Sequence, residues 1–223
     1  MKEKENKSFI VSADDFGKNQ EINKNILELI HLDKIDRVEV FVEGKFSPLQ
    51  IEKLKRSKVK LDIHLTAGDF KNERTGIFLR LTLFLTRLCG VYSPSKIELE
   101  WQNQINKFQK IFDQRPDGIS SHEHVHYFPP YLKAITRLAE KNQIKFIRYG
   151  KKGTLTRTNP ISFILNSLIK PTIVENLETT DYLLSLDWLK NKKQVQTIVP
   201  NGNTTELVCH FDRIEEYQTI KNL

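Results

Sequence analysis

Short apolar runs alternate along this chain with longer segments in which apolar residues recur every three or four positions. The first run, FIVSA at residues 9–13, is followed by apolar residues at helical spacing from Ile22 to Ile30, with Asn19 as the predicted N-cap. Strands that alternate with helices build a sheet of mainly parallel strands. We therefore expect an α/β protein. Because no internal repeat or linker interrupts the pattern, we expect a single domain over residues 1–223.

The helices and strands after residue 31 are also predicted from local sequence patterns. Proline is favoured in the first turn of a helix, and we predict helices from Pro48, from Pro94 to about Phe112, and from Pro129 to about Lys141. The second of these helices is predicted to face the core with Leu99, Ile105, Phe108 and Ile111. Further strands are predicted over residues 38–42, 58–65, 118–121, 144–148 and 206–211, and residues 181–190 are predicted as either strand or helix.

Composition and charge exclude some classes of protein. The chain has 35 Lys and Arg against 28 Asp and Glu, a formal charge of +7. The basic residues are dispersed and do not form a nucleic-acid-binding motif, so we expect no nucleic-acid partner. Cys89 and Cys209 lie far apart without a CxxC pair, which predicts reduced, buried thiols. The polar start MKEKENKSF leaves no room for the apolar stretch of a signal peptide, so we expect a cytoplasmic protein.

One apolar segment, residues 77–91, is interrupted by Arg80 and Arg87. It is too short and too charged to span a bilayer. We interpret it as a core helix. The alternatives are a contact with a membrane surface, with the lipid of a lipid-linked saccharide, or with a second copy of the chain in a homodimer.

Acidic and imidazole side chains follow the predicted strands where each strand ends. Three of the six histidines fall within five residues after the fourth strand. Because the carboxyl ends of parallel strands gather at one face, residues remote in sequence can meet there. The residues expected at this rim are Asp14, Asp15, His64, His122, His124, His126, Arg148 and His210.

Two imidazoles and one carboxylate suffice to hold a divalent ion while leaving positions open for water and substrate. Asp15, His64 and His122 form one such set. A spacing of two would place His122, His124 and His126 on the same face of a strand, so spacing alone does not rank them. Each feature also has a purely structural interpretation. DDFG is compatible with a turn and helix cap, HEHVH with an exposed loop, and His210 with a hydrogen-bonded core histidine.

The order of the motifs distinguishes these interpretations. SADDFG (residues 12–17), DIHLT (62–66), DGISSHEHVHYFP (117–129), IKFIR (144–148) and NTTELVCH (203–210) occur in this order. With them the chain resembles the YdjC-like family of carbohydrate deacetylases, which includes chitooligosaccharide deacetylases. The resemblance implies a distorted (β/α) barrel of the polysaccharide deacetylase-like type and one divalent metal ion, Mg²⁺ or Zn²⁺.

The resemblance also implies roles for individual residues. Asp15, His64 and His122 correspond to the metal ligands, Asp14 to the general base and His210 to the general acid. Residues in substrate-contacting or supporting positions are His124, His126, Arg148 and Glu206.

The activity implied by the resemblance is hydrolysis of an N-acetyl group from an amino sugar, an oligosaccharide or a lipid-linked saccharide. The alternative is a metal-dependent phosphoesterase acting on an anionic small molecule, which the net charge of +7 would suit. Two segments depart from the family pattern. CHFD at residues 209–212 stands where members usually read CHPG, and RVEVFVEG at residues 37–44 replaces a Ser/Thr-rich segment.

Overall fold

A computed structural model describes residues 9–67, 93–156, 159–170, 174–198 and 202–223. Its strands are β1 (Phe9–Phe16), β2 (Arg37–Val40), β3 (Lys60–Leu65), β4 (Gly118–Ser121), β5 (Phe146–Ile147), β6 (Gly153–Thr154), β7 (Tyr182–Ser185) and β8 (Thr205–Cys209). They form one parallel sheet in the order β5-β4-β3-β2-β1-β8-β7-β6. The sheet curls into a half-barrel, which confirms the predicted α/β barrel-like class with parallel strands.

Helices connect the strands, as the alternating pattern predicts. They are α1 (Gln20–His31), α2 (Pro48–Arg56), α3 (Pro94–Phe112), α4 (Pro129–Lys141), α5 (Pro160–Leu168), α6 (Val195–Ile198) and α7 (Ile214–Lys221). The N-cap prediction for α1 is confirmed, because the Asn19 side chain accepts a hydrogen bond from the Ile22 amide at 2.9 Å. Residues 181–190 contain both predicted alternatives, β7 followed by a 3₁₀ turn over Leu186–Trp188.

Two of the four core residues predicted for helix α3, Ile105 and Phe108, are fully buried, and the other two are not. Leu99 is 65% exposed, so its assignment to the core is wrong, and Ile111 is only partly buried. The buried stripe recurs every three or four residues, and Leu99 lies two residues from its nearest members, on the opposite side of the helix. The apolar residues of this stripe are Ile97, Trp101, Ile105, Phe108 and Phe112.

Strand β1 extends three residues beyond the predicted apolar run at residues 9–13 and ends at Phe16. Asp15 adopts a left-handed backbone conformation with φ of 66°, and the pairing of β1 with β2 shifts between Ala13 and Phe16. Such a bulge re-aims a side chain at the end of a strand. It brings the adjacent Asp14 and Asp15 side chains to the same rim. The turn itself falls at Gly17, where φ is 107° and a Cβ would meet the Phe41 carbonyl oxygen at 2.7 Å.

Residues 77–91 and Cys89 lie outside the described residues. Cys209 is a buried free thiol, as predicted. Among the helices of the described ranges, none is long and apolar enough to cross a membrane.

Candidate metal centre

Three side chains from three strand ends converge at the carboxyl edge of the sheet. We call Asp15, His64 and His122 the rim cluster; they follow or end β1, β3 and β4. His64 Nε2 lies 3.3 Å from His122 Nδ1 and 3.7 Å from Asp15 Oδ1, and His122 Nδ1 lies 3.5 Å from the same oxygen. The sequence-predicted ligand set is therefore in contact in the folded chain.

The rim cluster fits a divalent ion in both chemistry and spacing. Two imidazole nitrogens and a carboxylate oxygen are the donor set of many open metal sites. Ligand atoms about 2.1 Å from a tetrahedral ion are separated by about 3.4 Å. The measured separations of 3.3 to 3.7 Å agree with that value. These three residues could hold one ion while the half-exposed His122 leaves the site accessible from the rim.

Electrostatics keep the Asp15 carboxylate ionised. Burial would raise its pKa, but hydrogen bonding to His122 and the charges of His122, His64 and Lys18 hold the pKa well below its usual value. Lys18 Nζ lies 3.2 Å from Asp15 Oδ2, on the oxygen that does not face the two histidines. The oxygen that faces them therefore stays an acceptor.

Asp14 belongs to a second group of charges directly beneath the rim. Arg148 donates to both of its oxygens, from Nη2 to Oδ1 at 2.8 Å and from Nη1 to Oδ2 at 2.9 Å. Burial raises the pKa of Asp14, but Arg148, His64 and His210 outweigh it and lower the pKa to about 2. Asp14 Oδ2 also lies 3.8 Å from Nε2 of both His64 and His210, between the rim cluster and the end of β8.

Arg148 is shared among three carboxylates. Its Nε donates to Glu206 at 2.7 Å, and its Nη2 lies 3.1 Å from Glu39. We call Asp14, Glu39, Arg148 and Glu206 the core ion cluster; every one of these side chains is at most 4% exposed. Arg148 and Glu206 were predicted as substrate-contacting or supporting residues. With both side chains fully buried, the geometry gives them contacts that support Asp14.

The three histidines after β4 do not share a strand face, so that prediction is wrong. The strand ends at Ser121, and residues His122–Tyr127 form a 3₁₀ segment in which Glu123 and His124 have positive φ. The left-handed kink sends the histidine side chains in different directions, and only His122 joins the rim cluster.

His126 is a buried, neutral histidine that ties two parts of the site together. Its Nε2 donates to the Arg148 carbonyl oxygen at 2.7 Å, and its Nδ1 accepts from the Ser121 hydroxyl at 2.8 Å. Burial is the largest influence on its pKa and lowers it to about 3. His126 thereby joins the end of β4 to the backbone that carries Arg148, which is a supporting position.

His124 is half-buried and packs among aromatic rings. Its ring centroid lies 5.8 Å from that of Trp188 and 5.9 Å from that of Tyr127. Burial, together with the neighbouring charge of Arg148, holds its pKa well below the usual value. The ring is therefore uncharged and lies at the edge of the site.

His210 follows β8 directly and stays partly accessible. Its side chain is 22% exposed, and its backbone N–H donates to Glu216 Oε2 at 2.8 Å. Arg213 in turn donates to Glu216 Oε1 at 2.9 Å. Phe211 follows His210, and Glu216 supplies a fixed contact for the loop at the His210 amide.

Sequence reasoning missed two residues of the site. Glu39 lies on β2 and Ser120 on β4, and both side chains point into the same buried interior as His64. The alternation in RVEV predicts only that Glu39 lies on one face of a strand. Ser120 has no titratable group, so the sequence does not indicate it as a site residue. The registers Glu39↔Asp62 and His64↔Ser120, known only from the fold, place them beside the metal centre.

A curled parallel sheet with a carboxylate and two histidines at its carboxyl edge defines a barrel-like α/β protein with a candidate site for a metal ion. The sequence model of the YdjC-like protein family matches residues 8–219. The chain therefore belongs to the YdjC-like protein family, as its motifs indicated.

Named relatives and solved structures agree with this membership. The chain is 25% identical to a carbohydrate deacetylase of Clostridium beijerinckii, over 96% of this chain and 91% of that protein. It is 27% identical to a carbohydrate deacetylase of Halalkalibacterium halodurans, over 59% of this chain and 60% of that protein. It is also 27% identical to a chitooligosaccharide deacetylase of Escherichia fergusonii, over 60% of this chain and 56% of that protein. The last two matches span less than two thirds of each relative.

Among solved structures, an Enterococcus faecalis protein described as a cellobiose-phosphate cleavage protein superposes with a TM-score of 0.67. The match covers 96% of this chain and 90% of that protein at 19% identity. An uncharacterised Agrobacterium tumefaciens protein matches with a TM-score of 0.59 at 8% identity, over 96% of this chain and 80% of that protein. At these identities the similarity establishes the fold.

Proposed function

We propose that this chain is a divalent-metal-dependent hydrolase that removes an N-acetyl group from an amino sugar or oligosaccharide. The observation that carries the proposal is the convergence of Asp15, His64 and His122 beside the paired Asp14 and His210. The similarity to a carbohydrate deacetylase and a chitooligosaccharide deacetylase supplies the substrate class.

The charge balance of the site supports a bound cation. Arg148 contacts three buried carboxylates, and Asp15, a fourth, pairs with Lys18 at 3.2 Å, so these two cations contact four carboxylates. Buried charge that is not paired costs several kcal/mol. A divalent ion held by the rim cluster offsets this excess. When bound, such an ion supplies Lewis-acid activation and can lower the pKa of water from 15.7 to about 7.

Asp14 is positioned to accept the proton of the attacking water. Arg148 fixes both of its oxygens and keeps it ionised, and Oδ2 faces the rim cluster through His64. As water adds to the acetyl carbonyl carbon, one proton passes to Asp14. General base catalysis of this kind contributes about 10² to 10⁴ in rate.

His210 is positioned to protonate the departing nitrogen. Its Nε2 lies 3.8 Å from Asp14 Oδ2, so a substrate amide held at the rim would meet a base and an acid side by side. Breaking the carbon–nitrogen bond then releases acetate and a free amine. His124, half-buried at the edge of the same rim, is the proposed contact for the sugar.

The alternative phosphoesterase function has no comparable support. Sites for that chemistry often hold two metal ions about 4 Å apart. Within the described residues one group of metal-binding side chains is found, and the additional carboxylate, Asp14, is engaged by Arg148.

Acetate release tests the proposal. The purified protein is loaded in turn with Mg²⁺, Zn²⁺ or Co²⁺ and incubated with N-acetylated mono- and oligosaccharides, both soluble and lipid-linked, beside a parallel screen of phosphate esters. We expect metal-dependent acetate release that falls about 10² to 10⁴-fold in Asp14→Asn while the bound metal is retained. Phosphate release without acetate release would refute the proposal.

A further inference from the structure

A buried chain of hydrogen bonds runs from His64 away from the rim. His64 Nδ1 and the Ser120 hydroxyl oxygen are 2.9 Å apart, and the same hydroxyl donates to Glu39 Oε2 at 2.6 Å. All three residues are at most 2% exposed. Glu39, His64 and Ser120 lie on the neighbouring strands β2, β3 and β4, so the sheet fixes their relative positions.

The direction of the two hydrogen bonds follows from the number of protons. A serine hydroxyl has one proton, and an ionised carboxylate can only accept. The 2.6 Å separation is typical of a hydroxyl donating to a carboxylate. With its proton directed to Glu39, the Ser120 oxygen can only accept from His64. His64 Nδ1 must then carry a hydrogen.

The opposite direction would require a proton on Glu39. That carboxylate lies 3.1 Å from Nη2 of Arg148, with which it forms a buried ion pair. The arrangement with the proton on His64 Nδ1 is therefore favoured. In a neutral imidazole the other nitrogen, Nε2, then carries the lone pair, and Nε2 is the atom that faces Asp15 and His122.

We propose that Glu39 and Ser120 are positioning residues of the metal centre, and that Glu39 acts through the Ser120 hydroxyl to hold the Nδ1–H form of His64. The inference rests on the proposed metal site. It assigns a role to RVEVFVEG, one of the segments where this chain departs from the family pattern. Contacts of this kind to a ligating histidine contribute about 10 to 100-fold in metal affinity.

Metal affinity of Ser120→Ala is the first test, measured by competition for Zn²⁺ and Co²⁺ with a chromophoric chelator. We expect the dissociation constant to rise about 10 to 100-fold. Ser12→Ala is the matched control. Ser12 is also a buried serine, and its hydroxyl donates to Glu206 at 2.8 Å. Its substitution should leave metal affinity unchanged. Ser120→Thr, which keeps the hydroxyl, should restore most of the affinity.

Glu39→Gln tests the direction of the two hydrogen bonds, because it keeps a hydrogen-bonding side chain at position 39. The amide of the new side chain can donate to Ser120, which frees the hydroxyl proton for His64 Nδ1 and moves the imidazole hydrogen to Nε2. Long-range ¹H–¹⁵N NMR on the metal-free protein, at a pH where His64 is neutral, reads the tautomer directly. We expect Nδ1–H in the wild type and an increased Nε2–H population in Glu39→Gln.

The two measurements separate failure of this inference from failure of the proposed function. A wild-type His64 with its hydrogen on Nε2, or a folded Ser120→Ala with wild-type metal affinity, would overturn the inference. A wild-type protein that binds no divalent ion would contradict the proposed function instead. The tautomer, which is measured without metal, would still decide the role of Glu39 and Ser120.

Discussion

The rim cluster and the core ion cluster use similar side chains with different consequences. In the core, the Arg148 guanidinium lies within 3.1 Å of three carboxylates and supplies a positive charge built into the chain. At the rim, the candidate ligand atoms of Asp15, His64 and His122 lie within 4.8 Å of one another. The core cluster is closed around an arginine, whereas the rim cluster is the proposed site of an exchangeable cation.

Because of this difference, we expect the core ion cluster to position side chains and the rim cluster to bind a ligand. A closed, fully buried cluster fixes geometry, here the orientation of Asp14. An open cluster of acceptors at a partly exposed edge can gain and lose a ligand. Changes at the rim should therefore affect metal binding first, and changes in the core should affect stability first.

The largest expected effect is at the rim. His122→Ala removes one of three ligand atoms, and we expect metal affinity and acetate release to fall at least about 1000-fold, equivalent to about 4 kcal/mol. Metal content and turnover are measured on the same preparation. His31→Ala, an exposed histidine at the end of α1, is the control and should retain wild-type metal content. Full metal content in His122→Ala would show that the ligand set is wrong.

The next effect is in the core. Arg148→Met leaves three buried carboxylates without their counter-charge, and we expect the free energy of unfolding to fall by about 3 to 5 kcal/mol. Urea denaturation of the metal-free protein measures it. Arg137→Met is the matched control, because Arg137 pairs with Glu98 at the surface and its loss should cost about 1 kcal/mol or less. Equal losses in both variants would remove the distinction between the two clusters.

A smaller effect concerns pH. The pKa of His126 is lowered from 6.5 to about 3 in the folded chain, so below pH 6.5 the unfolded chain takes up a proton that the folded chain does not. The stability contributed by neutral His126 is complete above pH 6.5 and is lost as the pH falls toward 3. Between pH 6.5 and 5 the loss is about 2 kcal/mol.

His126→Gln isolates this contribution, because glutamine keeps a donor toward the Arg148 carbonyl and does not titrate. The difference in unfolding free energy between wild type and variant should shrink by about 2 kcal/mol from pH 6.5 to 5. His31→Gln provides the surface comparison. If the difference were independent of pH, His126 would not be the neutral, buried group that the structure describes.

Much of the fold was predictable from the sequence because strand and helix signals are local. The apolar run before DDFG, the Asn19 cap and the prolines at Pro48 and Pro129 each act within a few residues. Local signals were insufficient where the backbone is irregular. Asp15 and His124 have left-handed backbone conformations, and a spacing rule for regular strands misplaced the histidines.

The site was only partly predictable for a related reason. Titratable residues at strand ends identified Asp15, His64 and His122 as a set that could converge. Glu39 and Ser120 gave no such signal, since their role depends on strand order and register. Residues 77–91 lie outside the described residues, so their interpretation as a core helix stays a prediction, with contact to a membrane, a lipid-linked saccharide or a second chain as the alternatives.

The central claim is that one divalent ion binds at the rim and none in the core. A crystal of the protein loaded with Zn²⁺, measured at the zinc absorption edge, tests it by anomalous difference density. We predict a single site within about 2.3 Å of Asp15 Oδ1, His64 Nε2 and His122 Nδ1. Density among Asp14, Glu39 and Glu206, or none at the rim of a metal-loaded active protein, would contradict it.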